Sequence, residues 1–186
     1  MVEMTALWLP ILLSAVAVYL AGTVIHMMLP YHKSDYQRLP NEDAVMDALR
    51  TAGVTPGTYH FPRCESHKDM KDPAYVAKLN KGPIGLMTIM PNGMPNMVMY
   101  LVPWFLYCLA ISAFVAYLAS HFLPAGTGYR QLFRVAGLVA FLSYGMAHTH
   151  ISIWEGRAWS TTLKFWFDAV IYASLTAGVF TWLWPK

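Results

Sequence analysis

Two histidines and one aspartate are the residues of this sequence best placed to carry chemistry. His26 and His148 lie inside long stretches without Asp, Glu, Lys or Arg, and Asp168 comes directly before another. Imidazole and carboxylate groups together can ligate a transition metal or relay a proton. The spacing matches no established metal motif, but the three residues predict a metal site formed by His26, His148 and Asp168.

The same residues also allow a purely structural interpretation. Tyr144 lies four residues before His148, and Tyr172 lies four residues after Asp168, so each pair forms a polar stripe on one face of a helix. His148 and His150 are two residues apart and point in different directions on a helix, so both cannot face one ion. The structural interpretation predicts a hydrogen-bonded cluster of Tyr144, His148, Asp168 and Tyr172.

Two further groups have spacings that a metal could use. Thioethers favour copper(I), and five methionines surround a Pro-Asn-Gly turn: Met87, Met90, Met94, Met97 and Met99. More often, methionine fills irregular apolar gaps. A zinc-like spacing is formed by His60, Cys64 and His67, but a structural zinc site needs four ligands. Both groups therefore rank below the first site.

The distribution of charge predicts the elements that hold these residues. Hydrophobic residues make up 56% of the 186 residues and charged residues only 12%, against about 25% charged in soluble domains. A membrane span needs about 20 mostly apolar residues, and ionisable groups at that depth are functional candidates. The charge-free stretches predict transmembrane helices over residues 6–29, 97–123, 132–153 and 163–184.

Between the first two predicted helices lies the only sizeable polar region. Asp72 with Pro73 is typical of a helix start, and residues 58–61 and 86–90 predict short strands. The predicted fold is an all-α membrane protein, an antiparallel four-helix transmembrane bundle with a small α+β cap. Its segments are helix one at 1–30, the cap at 31–95, helix two at 96–124, helix three with its flanking loops at 125–162, and helix four at 163–186.

Basic residues predict the orientation of these helices. Ten of the 13 Lys and Arg residues lie in the first and third connections, and only Arg130, Arg134 and Lys186 lie on the other side. Positive charge stays inside, so the cap is expected in the cytoplasm and both termini outside. The first apolar run is too long for a signal peptide and is expected to be a retained span.

Three polar stretches lie beside the predicted spans: Pro30-Tyr31-His32-Lys33-Ser34-Asp35-Tyr36, Lys81-Gly82-Pro83-Ile84-Gly85-Leu86 and Glu155-Gly156-Arg157-Ala158-Trp159-Ser160. Together they resemble a family of small, uncharacterised bacterial membrane proteins with four predicted spans. The resemblance implies a multi-pass protein of the bacterial inner membrane. It implies no catalytic residue.

The sequence contains no phosphate-binding glycine loop, nucleophile elbow, dinucleotide fingerprint or haem-attachment motif. We therefore expect a non-catalytic accessory or assembly subunit of a larger membrane complex, with no cofactor assigned. Its expected partners are membrane lipid and either other proteins or further copies of itself; the net charge of +3 is too small to indicate nucleic acid. The alternatives are a metal-, haem- or quinone-binding redox protein, and a transporter of a small solute or protons that works as an oligomer.

Overall fold

The computed structural model of the chain describes residues 2–186 and is 70% helical. Within this range two strands form one small sheet, β1 (Gly57–Phe61) and β2 (Gly85–Ile89). The α-helices are α1 (Trp8–Thr23), α2 (Glu42–Thr51), α3 (Pro73–Lys81), α4 (Val98–Phe122), α5 (Tyr129–Gly145), α6 (Ala147–Glu155) and α7 (Trp159–Leu183). The chain divides into two compact units: a loop unit, Gln37–Pro95, and a helical unit made of the residues before and after it.

Three helical stretches are long and apolar enough to cross a membrane. They are Met4–Met28, Val98–Phe122 and Trp159–Leu183, each of 25 residues. The first includes α1 and continues into a π-helical turn, Val24–Met28. The sequence prediction of apolar spans is confirmed for these three.

The predicted third span, 132–153, is divided. Its residues belong to α5, of 17 residues, and α6, of nine, with a break at Met146. The Met146 N–H still donates to the Leu142 carbonyl, but the Thr149 N–H donates to Met146, which is a tighter turn. Gly145 immediately before the break is a poor helix former. An uninterrupted fourth spanning helix is therefore not observed in residues 2–186.

Close packing in the helical unit uses small residues. A β-carbon on Gly145 would lie 3.0 Å from the Ala169 side chain, and one on Gly137 would lie 3.5 Å from that of Ala177. Because the earlier residue of α5 meets the later residue of α7, the two helices are antiparallel. Small residues at these positions allow the two helices to approach closely.

The helices α1 and α4 are also antiparallel. The buried Ser14 hydroxyl donates to Ser112 at 2.9 Å, and further along the ring of Tyr19 meets Phe105 edge to face. The helix α4 contacts α5 as well, where the Tyr107 hydroxyl donates to the Ser143 carbonyl. The end of α1 also packs directly on α7, where a β-carbon on Gly22 would lie 3.2 Å from the Tyr172 hydroxyl. The candidate site lies beside this contact.

The loop unit has the predicted α+β character. The strands β1 and β2 are antiparallel, with Gly57 opposite Ile89 and Phe61 opposite Gly85. The helix α3 begins as expected, because the Asp72 side chain accepts a hydrogen bond from Ala74 N–H and Pro73 occupies the first turn. All of Gln37–Pro95 is described, and no residue in it is fully buried. The unit therefore has no closed core of its own.

Candidate metal centre

His26 lies in the π-helical turn that follows α1. The turn is marked by the hydrogen bond from Leu29 N–H to the Val24 carbonyl, five residues back. Such wide turns often occur at functional sites. The His26 side chain is 40% exposed, and its Nε2 lies 3.9 Å from Asp168 Oδ2.

His32 lies in a short 3-10 helix, Pro30–Asp35, which we call the 30–35 turn. Residues three apart face the same way in a 3-10 helix, so His32 and Asp35 are neighbours, with His32 Nδ1 2.6 Å from Asp35 Oδ2. The other ring nitrogen, Nε2, lies 2.8 Å from Asp168 Oδ2. His32 therefore connects a carboxylate of the turn to a carboxylate of α7.

The 30–35 turn packs against one face of α7. Thr161, Lys164 and Asp168 follow one another at three and four residues, so they share that face. Lys164 Nζ donates to the Tyr31 carbonyl and the Ser34 hydroxyl, each at 2.7 Å, and to Asp35 Oδ1 at 2.6 Å. All three ammonium hydrogens thus have an acceptor, and the turn is held against the helix.

The two carboxylates around His32 require one extra proton in this arrangement. A neutral imidazole has one N–H donor, whereas an ionised carboxylate only accepts. Both ring nitrogens face carboxylate oxygens at hydrogen-bond distance. Either His32 is an imidazolium ion or one of the two carboxyl groups is protonated. The site therefore holds a proton that a cation could replace.

Asp35 and Tyr31 lie outside the candidate spans. Their surroundings favour an ionised Asp35 carboxyl and a neutral Tyr31 hydroxyl. Burial raises the pKa of Asp35, but hydrogen bonds from Lys164 and His32, with their charges, outweigh it and the pKa is lowered overall. Burial, together with its hydrogen bond to Asp168, raises the pKa of Tyr31. Tyr31 consequently stays a hydroxyl donor to Asp168 at neutral pH.

His26, His32 and Asp168 form the candidate metal centre, which we call the His/Asp cluster. One ligand atom from each lies within 4.8 Å of the other two, and the Asp168 side chain is buried. Ligand atoms at zinc bond lengths of about 2.0–2.1 Å stand roughly 3.3 Å apart in a tetrahedral site. Small side-chain rotations would give that spacing, closing the distance from His26 to Asp168 and opening that from His32 to Asp168.

Groups around the His/Asp cluster are arranged as metal sites usually are. Asp35 accepts from His32 Nδ1, which would fix the tautomer with Nε2 free to bind an ion. Tyr31 donates to Asp168 Oδ1, leaving Oδ2 toward the two histidines. Two imidazoles and one carboxylate suit zinc or ferrous iron and leave at least one coordination position for water or substrate.

His148, which the sequence analysis placed in the metal site, is not part of this group. Its ring stacks on Phe165, with centroids 4.0 Å apart and planes 1° from parallel. Its buried Nδ1 has no hydrogen-bond partner among residues 2–186. The prediction assumed one continuous helix from Tyr144 through His148, and the break at Met146 falls between them. His32 takes the position that was expected for His148.

Of the predicted hydrogen-bonded cluster of Tyr144, His148, Asp168 and Tyr172, the structure brings two rings together, but the Tyr144 hydroxyl and His148 Nδ1 have no hydrogen-bond partner among residues 2–186. The buried rings of Tyr144 and Tyr172 meet edge to face at 5.3 Å. Tyr172 also points its hydroxyl at His26 Nε2, 3.5 Å away. Asp168, however, takes Tyr31 and His32 as its hydrogen-bond partners.

The other candidate groups lie in or next to the loop unit. His60 Nδ1 faces the Pro62 carbonyl, and Cys64 donates to the Ser66 carbonyl. Among the described residues, the His/Asp cluster is the one group of three or more His, Cys, Asp and Glu residues with ligand atoms close enough for an ion. Of the five methionines, Met94 is 98% exposed.

Sequence reasoning missed His32, Asp35, Tyr31 and Lys164 as parts of the site. One signal was available: His32 and Asp35 are three apart directly after Pro30, as in a tight helical turn. A second was Lys164 four residues before Asp168, which put an ion-pairing residue on the same face.

Comparisons with protein-family models, curated proteins and solved structures find no match to this chain. The chain is therefore described from its own structure. It has three apolar helices long enough to cross a membrane and a polar cluster at the end of α1. The resemblance to four-span bacterial membrane proteins stays a prediction.

Proposed function

We propose that this chain is a multi-pass protein of the bacterial inner membrane that binds a divalent transition-metal ion at the His/Asp cluster. The observation that carries the proposal is the double contact of His32: Nε2 meets Asp168 while Nδ1 is held by Asp35. Metal-binding histidines almost always have such a carboxylate or carbonyl on the other nitrogen. Zinc and ferrous iron are the ions that two imidazoles and one carboxylate fit best.

Charge supports a cation at this position. With both histidines neutral, Asp35 and Asp168 carry two negative charges against the one positive charge of Lys164. A divalent ion would replace the extra proton beside His32 and offset the remaining negative charge. Binding should therefore release a proton, so that affinity falls as the pH falls.

The proposed topology has four crossings in an antiparallel bundle, with α5 and α6 together forming the third. The two helices span residues 129–155 almost without interruption, and a helix broken inside the membrane is tolerated where protein covers it. The excess of basic residues in the first and third connections supports a cytoplasmic loop unit and external termini. The His/Asp cluster would then lie near the cytoplasmic surface.

Metal-dependent stabilisation tests the proposal. Zn²⁺ at a hundred times its dissociation constant should stabilise the detergent-purified protein by about 2.7 kcal/mol, measured as a rise in the thermal midpoint. The Asp168→Asn variant should show little or none of this rise. Mg²⁺ is the matched control because it prefers oxygen ligands. Equal shifts with Zn²⁺ and Mg²⁺, or an unchanged Zn²⁺ effect in Asp168→Asn, would contradict the metal site.

A role as a subunit of a larger complex is the second candidate. It is supported by the loop unit, which has no fully buried residue and exposes Met46, Met70 and Leu86 by 43–56%. A small unit without a closed core of its own is typically stabilised by packing against another surface. Native mass measurement after mild-detergent purification from the source cells tests this role, and a bare monomer would count against it.

A further inference from the structure

A cavity of about 260 Å³ opens beside the His/Asp cluster, between the end of α1 and the start of α4. His26 belongs to both the cavity and the cluster. The cavity is otherwise lined mainly by apolar and aromatic groups: Gly22, Thr23, Met27, Met97, Tyr100, Leu101 and Trp104. It lies within the first two candidate membrane spans or beside their ends.

Four residues that line this cavity carry hydrogen-bonding side chains: Thr23, His26, Tyr100 and Trp104. The Thr23 hydroxyl already donates a hydrogen bond to the Tyr19 carbonyl at 2.9 Å. The His26 Nε2 faces Asp168 and Tyr172, so Nδ1 is the ring nitrogen left for a ligand in the cavity. The indole of Trp104 provides a flat wall. A ligand with a planar ring and an oxygen that reaches His26 Nδ1 matches these groups.

We propose that this cavity binds the head group of an isoprenoid quinone or quinol, with a ring oxygen hydrogen-bonded to His26. The inference rests on the proposed membrane location, because the cavity is then reached from the lipid, where quinones dissolve. Its volume is slightly below the range of about 300–1,000 Å³ for pockets that enclose whole drug-sized ligands. It therefore suits a ring whose apolar tail remains among lipid chains.

This site differs from the metal centre in all but one residue. His32 and Asp168 do not line the cavity, and Trp104 and Leu101 do not belong to the cluster. Quinone binding can therefore be lost while metal binding persists, and the reverse. The proposal is for binding alone.

Photolabelling with a short-chain azidoquinone tests the site in the full-length protein, reconstituted in phosphatidylcholine nanodiscs. We expect saturable labelling of peptides that contain residues 22–27 or 97–104. Unlabelled decylubiquinone should suppress it, whereas a long-chain alcohol without the quinone ring should not. Labelling that does not saturate, or that the alcohol suppresses equally, would overturn the proposal.

Variants separate the cavity from general lipid contact. Leu101→Trp should fill the cavity and reduce labelling at least tenfold, and Met27→Trp at its rim should reduce it as well. The matched control is Leu106→Trp, since Leu106 is 56% exposed on the same helix and does not line the cavity. Equal labelling of Leu101→Trp and Leu106→Trp, with both folded, would contradict the site.

Two further variants distinguish failure of this inference from failure of the metal proposal. His32→Ala should abolish metal binding and leave quinone labelling within about twofold of wild type. His26→Ala should weaken labelling about fivefold, as expected for one lost hydrogen bond. Labelling that disappears in His32→Ala but survives in His26→Ala would show that the quinone contacts a different group.

Discussion

His32 and Asp168 lie 136 residues apart in the sequence, and their side chains meet at 2.8 Å between Nε2 and Oδ2. This contact joins the turn that follows the first membrane helix to the first turns of the last one. It is supported on both sides, by Asp35 on His32 and by Tyr31 on Asp168. The sequence of the 30–35 turn thus determines which side chains contact α7.

Lys164 is expected to act as a positioning residue for His32. Replacing it with methionine removes three hydrogen bonds that hold the 30–35 turn. We expect Zn²⁺ affinity to fall about 10–100-fold, as is typical when groups behind a metal ligand are lost. A chelator-competition titration measures this. Lys33→Met is the control, since Lys33 is exposed in the same turn, and an equal loss in both variants would exclude a specific role for Lys164.

The stabilisation that Asp35 contributes to the fold depends on pH. Its pKa is lower in the folded protein than its ordinary value of about 3.9. Its charge therefore stabilises the fold fully above that value, and this stabilisation is lost as the pH falls through the lowered folded pKa.

Asp35→Asn should consequently cost about 1–3 kcal/mol at pH 7, because it weakens the pairing of Lys164. The difference from wild type should shrink below pH 4. Thermal unfolding in detergent from pH 7 to pH 3 measures it, with the exposed Asp43→Asn as the control. A difference that stays constant over this range would show that Asp35 is not the titrating group.

The elements that depend on local composition were predicted well from the sequence, and those that depend on contacts between distant residues were not. The charge-free stretch 97–123 gave α4, Val98–Phe122, almost to the residue, because composition and length set a spanning helix. The break at Met146 was not predicted, since Gly145 alone does not end a helix.

The candidate site was predicted only in part, for a related reason. His26 and Asp168 were singled out because an ionisable group in an apolar stretch is conspicuous in the sequence. His32 and Asp35 lie among other polar residues, so only their three-residue spacing after Pro30 distinguishes them. Their role depends on tertiary packing of the 30–35 turn against α7, which spacing within the turn does not show.

Packing of α5 on α7 depends on the absence of a side chain at Gly145. Its substitution by alanine would place a β-carbon 3.0 Å from Ala169. We expect the free energy of unfolding to fall by about 1–3 kcal/mol, as for other overpacked positions. Gly178→Ala is the matched control in α7, because a β-carbon there meets open space and helix propensity favours alanine. A Gly145→Ala variant as stable as Gly178→Ala would contradict this close contact.

The proposed orientation is tested by cysteine labelling of intact cells. Cys64 is partly exposed in the loop unit, and Cys108 is buried in α4. An impermeant maleimide added outside should leave the protein unlabelled, and a permeant maleimide should label it. Cys64→Ser should abolish the permeant signal and identify its source. Labelling of Cys64 by the impermeant reagent would place the loop unit outside the cell.

The metal content of three matched proteins decides whether the His/Asp cluster binds a metal ion. Wild type, His32→Ala and His148→Ala should be purified with a tag that does not bind metals, loaded with Zn²⁺, desalted and analysed by elemental mass spectrometry. We expect about one ion per chain for wild type and for His148→Ala, since His148 stacks on Phe165 outside the ligand group, and almost none for His32→Ala. A His32→Ala protein that retains its zinc while His148→Ala loses it, or a wild type that retains none, would contradict a metal site at the His/Asp cluster.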